Sequence, residues 1–200
     1  LVDLHAQQIQ GFFSIFVDEI TAFPILSQYW INKGVQNVVV VAPDVGAAKR
    51  ARNFAEVLNV PLAIIEKRRY DNRPASKALN VIGYVRGKNA IIFDDEVDTA
   101  STLMEAVHAL EQRGVQGIWC AVTHAVLSPP AVDRIRESSI RELVVTNTIA
   151  LPPEKRLDKI TILSVAPLLG DVIDSIHRGQ SVGLAIDKYE KTCGIYRRSI

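Results

Sequence analysis

Five short apolar runs, rich in β-branched residues and separated by helix-length segments, constrain this chain more than any other feature. They are VVVVA at 38–42, PLAII at 61–65, AIIF at 90–93, GIWCAVT at 117–123 and ELVVTN at 142–147. Continuous apolar runs of this length are the mark of strands buried on both faces. KITILSV at 159–165 could add a sixth. Between them, residues 24–33, 47–58, 102–113, 129–138 and 165–177 have helical length and patterning. Such alternation predicts an α/β fold: a mostly parallel sheet flanked by helices on both faces. Gly34, Gly83, Gly87, Gly114 and Gly179 fall where helices end or loops turn. The first twenty residues carry Ile9, Phe12, Phe13, Ile15, Phe16 and Val17 with neither period, and residues 187–200 carry no pattern.

Composition excludes several classes. With 200 residues, 48% apolar and 22% charged, the chain has globular usage and is sized for one core plus flanking pieces. A net charge of +1 offers no electrostatic case for nucleic acid or an acidic membrane. Cys120 and Cys193 have no metal or redox spacing, so a reducing, cytoplasmic setting is expected. No apolar stretch reaches membrane-spanning length.

Residues 90–103, AIIFDDEVDTASTL, carry the densest chemistry. An apolar run stops at Asp94 and Asp95; Thr99, Ser101 and Thr102 follow, and a helical pattern begins at Leu103. A strand exit of this kind sits at the carboxyl edge of the sheet, where open α/β folds bind ligands. Free N–H groups at the next helix start make a phosphate receptor. Two carboxylates suit the vicinal hydroxyls of a sugar or a hydrated metal. Ordinary helix capping is the plain alternative, but two carboxylates and three hydroxyls exceed what one cap requires.

The string resembles the phosphoribosyl-diphosphate loop shared by type I phosphoribosyltransferases and ribose-phosphate pyrophosphokinases. VDLHAQQIQGFF, VVVVAPDVGAAKRA, LAIIEKRR, THAVLSPPAVDRI and ELVVTNTI resemble, in order, further segments of the pyrophosphokinase family. The resemblance runs from about residue 3 to about residue 182. It implies a type I phosphoribosyltransferase-like fold and three regions. Residues 1–22 would end a first domain that is otherwise missing and form a linker. Residues 23–181 would form the catalytic domain, and 182–200 a return strand with a polar tail. Exposed apolar surface at 182–186 would favour self-association or disorder at the ends.

The implied reaction moves the diphosphoryl group of ATP to the C1 hydroxyl of ribose 5-phosphate, giving phosphoribosyl diphosphate and AMP. Asp94 and Asp95 would bind the ribose hydroxyls, and Asp98, Thr99, Ala100, Ser101 and Thr102 the 5-phosphate. Asp44, Val45, Gly46, Ala47, Ala48 and Lys49 would form the diphosphate loop. His5 and Asp44 would contribute to a magnesium site, with Asp3 orienting the imidazole. Lys67 and Arg69 would stabilise the transferring group from a mobile lid spanning 70–76, with Arg73 and Pro74 continuing that loop, and THAVLSPPA would border the sugar. His108 and His177 read as structural. Ala47, Ser101 and Pro129 stand where the family usually has glycine, with Pro129 expected at a helix N1 position. Glu96 is more acidic than the apolar residue expected there. The family assembles as homo-oligomers. Two other readings carry weight: a non-catalytic relative that binds sugar phosphate or regulates a partner, and a phosphoribosyltransferase sharing only the loop.

Overall fold

Alternate residues of each central strand are assigned to opposite cores, and this parity builds the molecule. In strand β1 (Val38–Ala42), Val39 and Val41 join one buried cluster, while Val38, Val40 and Ala42 join another. The same division runs through β4 (Asn89–Val97), where Ala90 and Ile92 face one way and Ile91 and Phe93 the other. A computed structural model describes residues 1–69 and 77–192, excluding the side chains of residues 68, 69, 77, 78 and 192. The remaining strands are β2 (Leu62–Arg69), β3 (Lys77–Ile82), β5 (Gly117–Ala125), β6 (Ile140–Thr146) and β7 (Ile160–Leu163). They form one sheet in the order β3-β2-β1-β4-β5-β6-β7, parallel throughout except for β3, which pairs antiparallel with β2.

Helices α1 (Phe23–Lys33) and α2 (Ala48–Leu58) cover one face, and α3 (Ser101–Gln112) and α4 (Ala131–Glu137) the other. On the first face Phe54 stacks on Phe93 with centroids 4.2 Å apart, and Phe23 meets both edge-on at 6.0 and 6.3 Å. Phe54 is fully buried, a contribution of about 1.5–3 kcal/mol. The five glycines expected at helix ends and turns all have positive φ. At Gly83 (φ 116°) a Cβ would lie 2.9 Å from that of Ala63, so the turn into β4 requires glycine on two counts.

Three local readings are corrected. Strand β4 does not stop at Phe93: it continues through both acids to Val97, pairing Asp94 with Val122 and Glu96 with His124. Residues 182–186 are not a return strand but open helix α6 (Val182–Thr192). The reason is legible afterwards: Val182, Ala185, Ile186 and Tyr189 have i, i+3, i+4, i+7 spacing and pack beside α5 (Ala166–His177). Pro129 is not at N1, because α4 begins at Ala131 with Pro130 as its N-cap. Strand β3 was not anticipated; it is a short edge strand that buries Val81 and leaves Ile82 exposed.

The two ends meet in a third cluster. Ile20, Ala22 and Ile25 pack with Val165, Leu168, Val172 and Ala185. Residues 7–12 form a 3-10 turn; Phe12 at its end and Phe16 beyond it are exposed. Among the described residues no helix is long and apolar enough to cross a membrane.

Candidate functional site

A cleft of about 660 Å³ opens at the carboxyl edge of the sheet. Its lining includes His5, Asp44, Arg50, Asp94, Asp95 and the turn from Asp98 to Thr102. Segments distant in sequence are therefore brought together: the amino-terminal strap, the loop before α2, and the end of β4.

The turn into α3 departs from the expected one in the place of its left-handed residue. The left-handed residue is Ala100 (φ 59°, ψ 16°), whereas Ser101 is already the first helical residue. Serine at 101 therefore meets no backbone penalty where glycine was expected. No side chain caps α3 and no acid stands in its first turn, so its amino-terminal N–H groups keep their capacity for an anion. Arg134 Nη1 donates to the Thr99 carbonyl at 2.8 Å and fixes the turn from outside.

The diphosphate-loop residues lie across the cleft. Asp44 Oδ1 accepts from the Ala47 N–H at 2.9 Å, closing the turn that starts α2. Ala47 has ordinary right-handed geometry (φ −77°, ψ −10°), so its departure from glycine imposes no backbone strain. Gly46, Ala47 and Lys49 line the cleft with Asp44; Val45 is exposed, and Ala48 packs against the core.

The acid pair is differentiated. Asp95 keeps the parity of Ile91 and Phe93, which face α2, and there it meets Arg50. Arg50 Nη2 lies 2.8 Å from Asp95 Oδ2 and 4.0 Å from Asp94 Oδ1. His5 Nδ1 lies 3.0 Å from the same Asp95 Oδ2, and Asp95 Oδ1 accepts the Glu96 N–H at 3.0 Å. Burial works against ionising Asp95, but the hydrogen bond shared with Asp94, then Arg50 and His5, hold its carboxyl below the usual range. Asp94 behaves oppositely: burial first, then the neighbouring Asp95, push it up to about 7. Glu96 is partly exposed and reaches to 3.8 Å from His5.

Asp3 does not orient His5. Its Oδ2 accepts from the Ala22 N–H at 2.9 Å and from Thr123 Oγ1 at 2.8 Å. His124 Nε2 lies 2.9 Å from the Asp3 carbonyl and its Nδ1 2.8 Å from Thr148 Oγ1. Thr123 and His124 in THAVLSPPA therefore pin the strap that delivers His5, while Asp95 aligns the imidazole. No residue of THAVLSPPA lines the cleft, against the expectation that this segment borders the sugar; Val122, just before it, does.

Lys67 does not line this cleft. Its ammonium lies 2.8 Å from Glu105 Oε2 on α3, an oxygen shut off from solvent and otherwise without a hydrogen-bond partner. The Arg69 side chain and residues 70–76, including Arg73 and Pro74, lie outside the described residues. His108 is exposed beside Gln112, and His177 ends α5. Sequence reasoning missed Arg50, Glu105 and His124. Arg50 follows the diphosphate loop directly, and strand parity at Asp95 was the signal that could have found it.

Magnesium has a partial fit. His5 and Asp44 share the cleft, but no cluster of three or more His, Cys, Asp or Glu side chains able to hold a metal occurs among the described residues. Magnesium usually takes only one or two protein carboxylates and completes its shell with water and substrate phosphates.

Residues 71–186 match the phosphoribosyl synthetase-associated domain. A ribose-phosphate pyrophosphokinase of Caldanaerobacter subterraneus is 52% identical, over 90% of this chain and 57% of that protein. Its counterpart from Halalkalibacterium halodurans is 50% identical, over 93% and 58%. The phosphoribosylpyrophosphate synthetase structure of Mycobacterium smegmatis superposes with a TM-score of 0.80 at 40% identity, covering 89% of this chain and 58% of that one. Orotate phosphoribosyltransferase from Aeropyrum pernix, at 16% identity and a TM-score of 0.51, covers 61% and 67% and shares the fold. The chain thus spans a little under three-fifths of the length of the pyrophosphokinases it matches. Because the domain match extends over more than half of its residues, and half-identical relatives over nine-tenths of them, the chain belongs to the phosphoribosyl synthetase family, that of the ribose-phosphate pyrophosphokinases.

Proposed function

We propose that the cleft binds ribose 5-phosphate and serves the transfer of a diphosphoryl group from ATP to the sugar C1 hydroxyl, yielding phosphoribosyl diphosphate and AMP. The observation that carries this is the uncapped start of α3 opening on the same cleft as Asp94. The N–H groups of residues 99–102 receive the 5-phosphate, and Asp94, the more accessible of the acid pair, takes ribose hydroxyls. The loop from Asp44 to Lys49 faces the polyphosphate. Magnesium, held by Asp44 and His5 and completed by phosphate oxygens, would neutralise polyphosphate charge. Lys67, once released from Glu105, and Arg69 would supply further positive charge to the transferring group, since positioning and electrostatics dominate phosphoryl transfer.

The test is AMP release from ATP and ribose 5-phosphate with magnesium. It should be run on this chain alone and on this chain joined to the remaining portion of a half-identical relative. Turnover by the joined protein is expected, and its absence would refute the catalytic reading. One observation favours the second reading, a binding relative without catalysis: Lys67 is held by Glu105 outside the cleft. Calorimetric binding of ribose 5-phosphate without turnover by the joined protein would support it.

A further inference from the structure

Both carboxylate oxygens of Asp95 are engaged. Oδ2 faces both His5 Nδ1 at 3.0 Å and Arg50 Nη2 at 2.8 Å, Oδ1 accepts the Glu96 N–H, and the residue is 3% exposed. With both oxygens engaged and almost none of the residue exposed, this side chain is closed to a sugar hydroxyl chiefly by burial. Asp94, with 23% of its side chain accessible, keeps that capacity. Arg50 shows the opposite condition. It stands at the junction of the diphosphate loop and the acid pair, lines the cleft, and has 39% of its side chain accessible. Its Nε is buried without an acceptor. A guanidinium carries five donors; here Nη2 is fastened to Asp95, Nε is closed off from the cleft, and among the described residues Nη1 has no acceptor.

We propose that Arg50, fastened by Asp95, is a donor to the diphosphoryl group, and that Asp95 acts through Arg50 and His5 rather than on the sugar. The inference rests on the functional reading above and divides its acid pair: Asp94 for the sugar, Asp95 for holding the cation. The planar fork of arginine suits a diphosphate because it can present two parallel N–H groups to phosphate oxygens while Nη2 stays on Asp95. Lysine at the same position would keep a charge beside Asp95 but lose the fork.

The experiment is calorimetry with inorganic diphosphate and, separately, with ribose 5-phosphate, both with magnesium, on the unaltered chain, Arg50→Lys and Asp95→Asn. Arg50→Lys retains the buried charge pair and is expected to fold. It should weaken diphosphate by about tenfold or more, the worth of a charge-assisted hydrogen bond. Its ribose 5-phosphate affinity should stay within about twofold, inside the range of minor context effects. Asp95→Asn, which unfastens the guanidinium, should follow the same pattern. Unchanged diphosphate binding in Arg50→Lys, equal weakening of both ligands, or a selective loss of ribose 5-phosphate in Asp95→Asn would each overturn the inference. If the unaltered chain takes up neither ligand, the reading of the cleft falls as well; if it takes up both, only the division of roles is at stake.

Discussion

Asp94 should make the unliganded chain less stable as pH rises through neutrality, and replacing it with asparagine should remove that loss. In the unfolded chain this carboxyl ionises near its ordinary 3.8; in the fold, burial and the neighbouring Asp95 push it up to about 7. Between those values the unfolded chain holds fewer protons than the folded one, so stability falls with pH. At about 1.36 kcal/mol per pH unit, the whole interval corresponds to roughly 4 kcal/mol. Because Asp94 and Asp95 titrate as a pair, that figure is a ceiling. About 2–3 kcal/mol of it falls between pH 5 and pH 8. Urea unfolding of the unaltered chain and Asp94→Asn at pH 5, 6, 7 and 8 reads this directly. The variant should already be ahead by about 1–2 kcal/mol at pH 5, gain further to about pH 7 and level off by pH 8. Parallel profiles would refute the reasoning, for they would mean that Asp94 carries no proton in the fold at pH 5. The same variant should bind ribose 5-phosphate more weakly, so that stability gained and ligand lost share one carboxylate.

Glu105→Gln should release Lys67; with both side chains about one-third accessible the pair contributes no more than about 1 kcal/mol. Faster modification of Lys67 by an amine reagent, with an unchanged unfolding midpoint, is therefore expected, and an unchanged modification rate would contradict the pairing. Thr123→Val removes one of two donors to Asp3 and should destabilise the chain by about 1 kcal/mol. Hydrogen exchange should then accelerate at residues 2–5 and not in β4; uniform acceleration would mean that the strap is held elsewhere. Burial raises the Cys120 thiol far above its ordinary value. Peptide mapping after treatment with a thiol reagent should find Cys120 unlabelled until denaturant is added, and labelling of the native chain would contradict its burial.

The inner parallel strands were legible because each is covered on both faces and written as an apolar run; β7, an edge strand with no buried residue, showed only through the run KITIL. Strand β3 was not legible, since an edge strand with one wet side needs no such run, and Ile82 on its exposed side confuses the pattern. Helix α6 was hidden by cutting the sequence at Ile186, which splits a helical period that closes only at Tyr189. The cleft followed the same logic. Asp94, Asp98, Thr99 and the diphosphate loop could be assigned because their chemistry lies in contiguous strings. The roles of Arg50, Glu105 and His124 depend on pairs separated by about 40 to 120 positions, which only the folded chain reveals.

Pairing between β1 and β2 ends at Ala42 and Ile64, yet β2 goes on to Arg69 with β3 alone beside it. Lys67 therefore rides on a two-stranded arm cantilevered from the sheet, while β4, which carries the acid pair, lies at its centre between β1 and β5. Paired strands of this kind have little stability of their own. Substitutions along the arm should therefore alter where Lys67 stands without disturbing the central strands that carry Asp94 and the turn into α3.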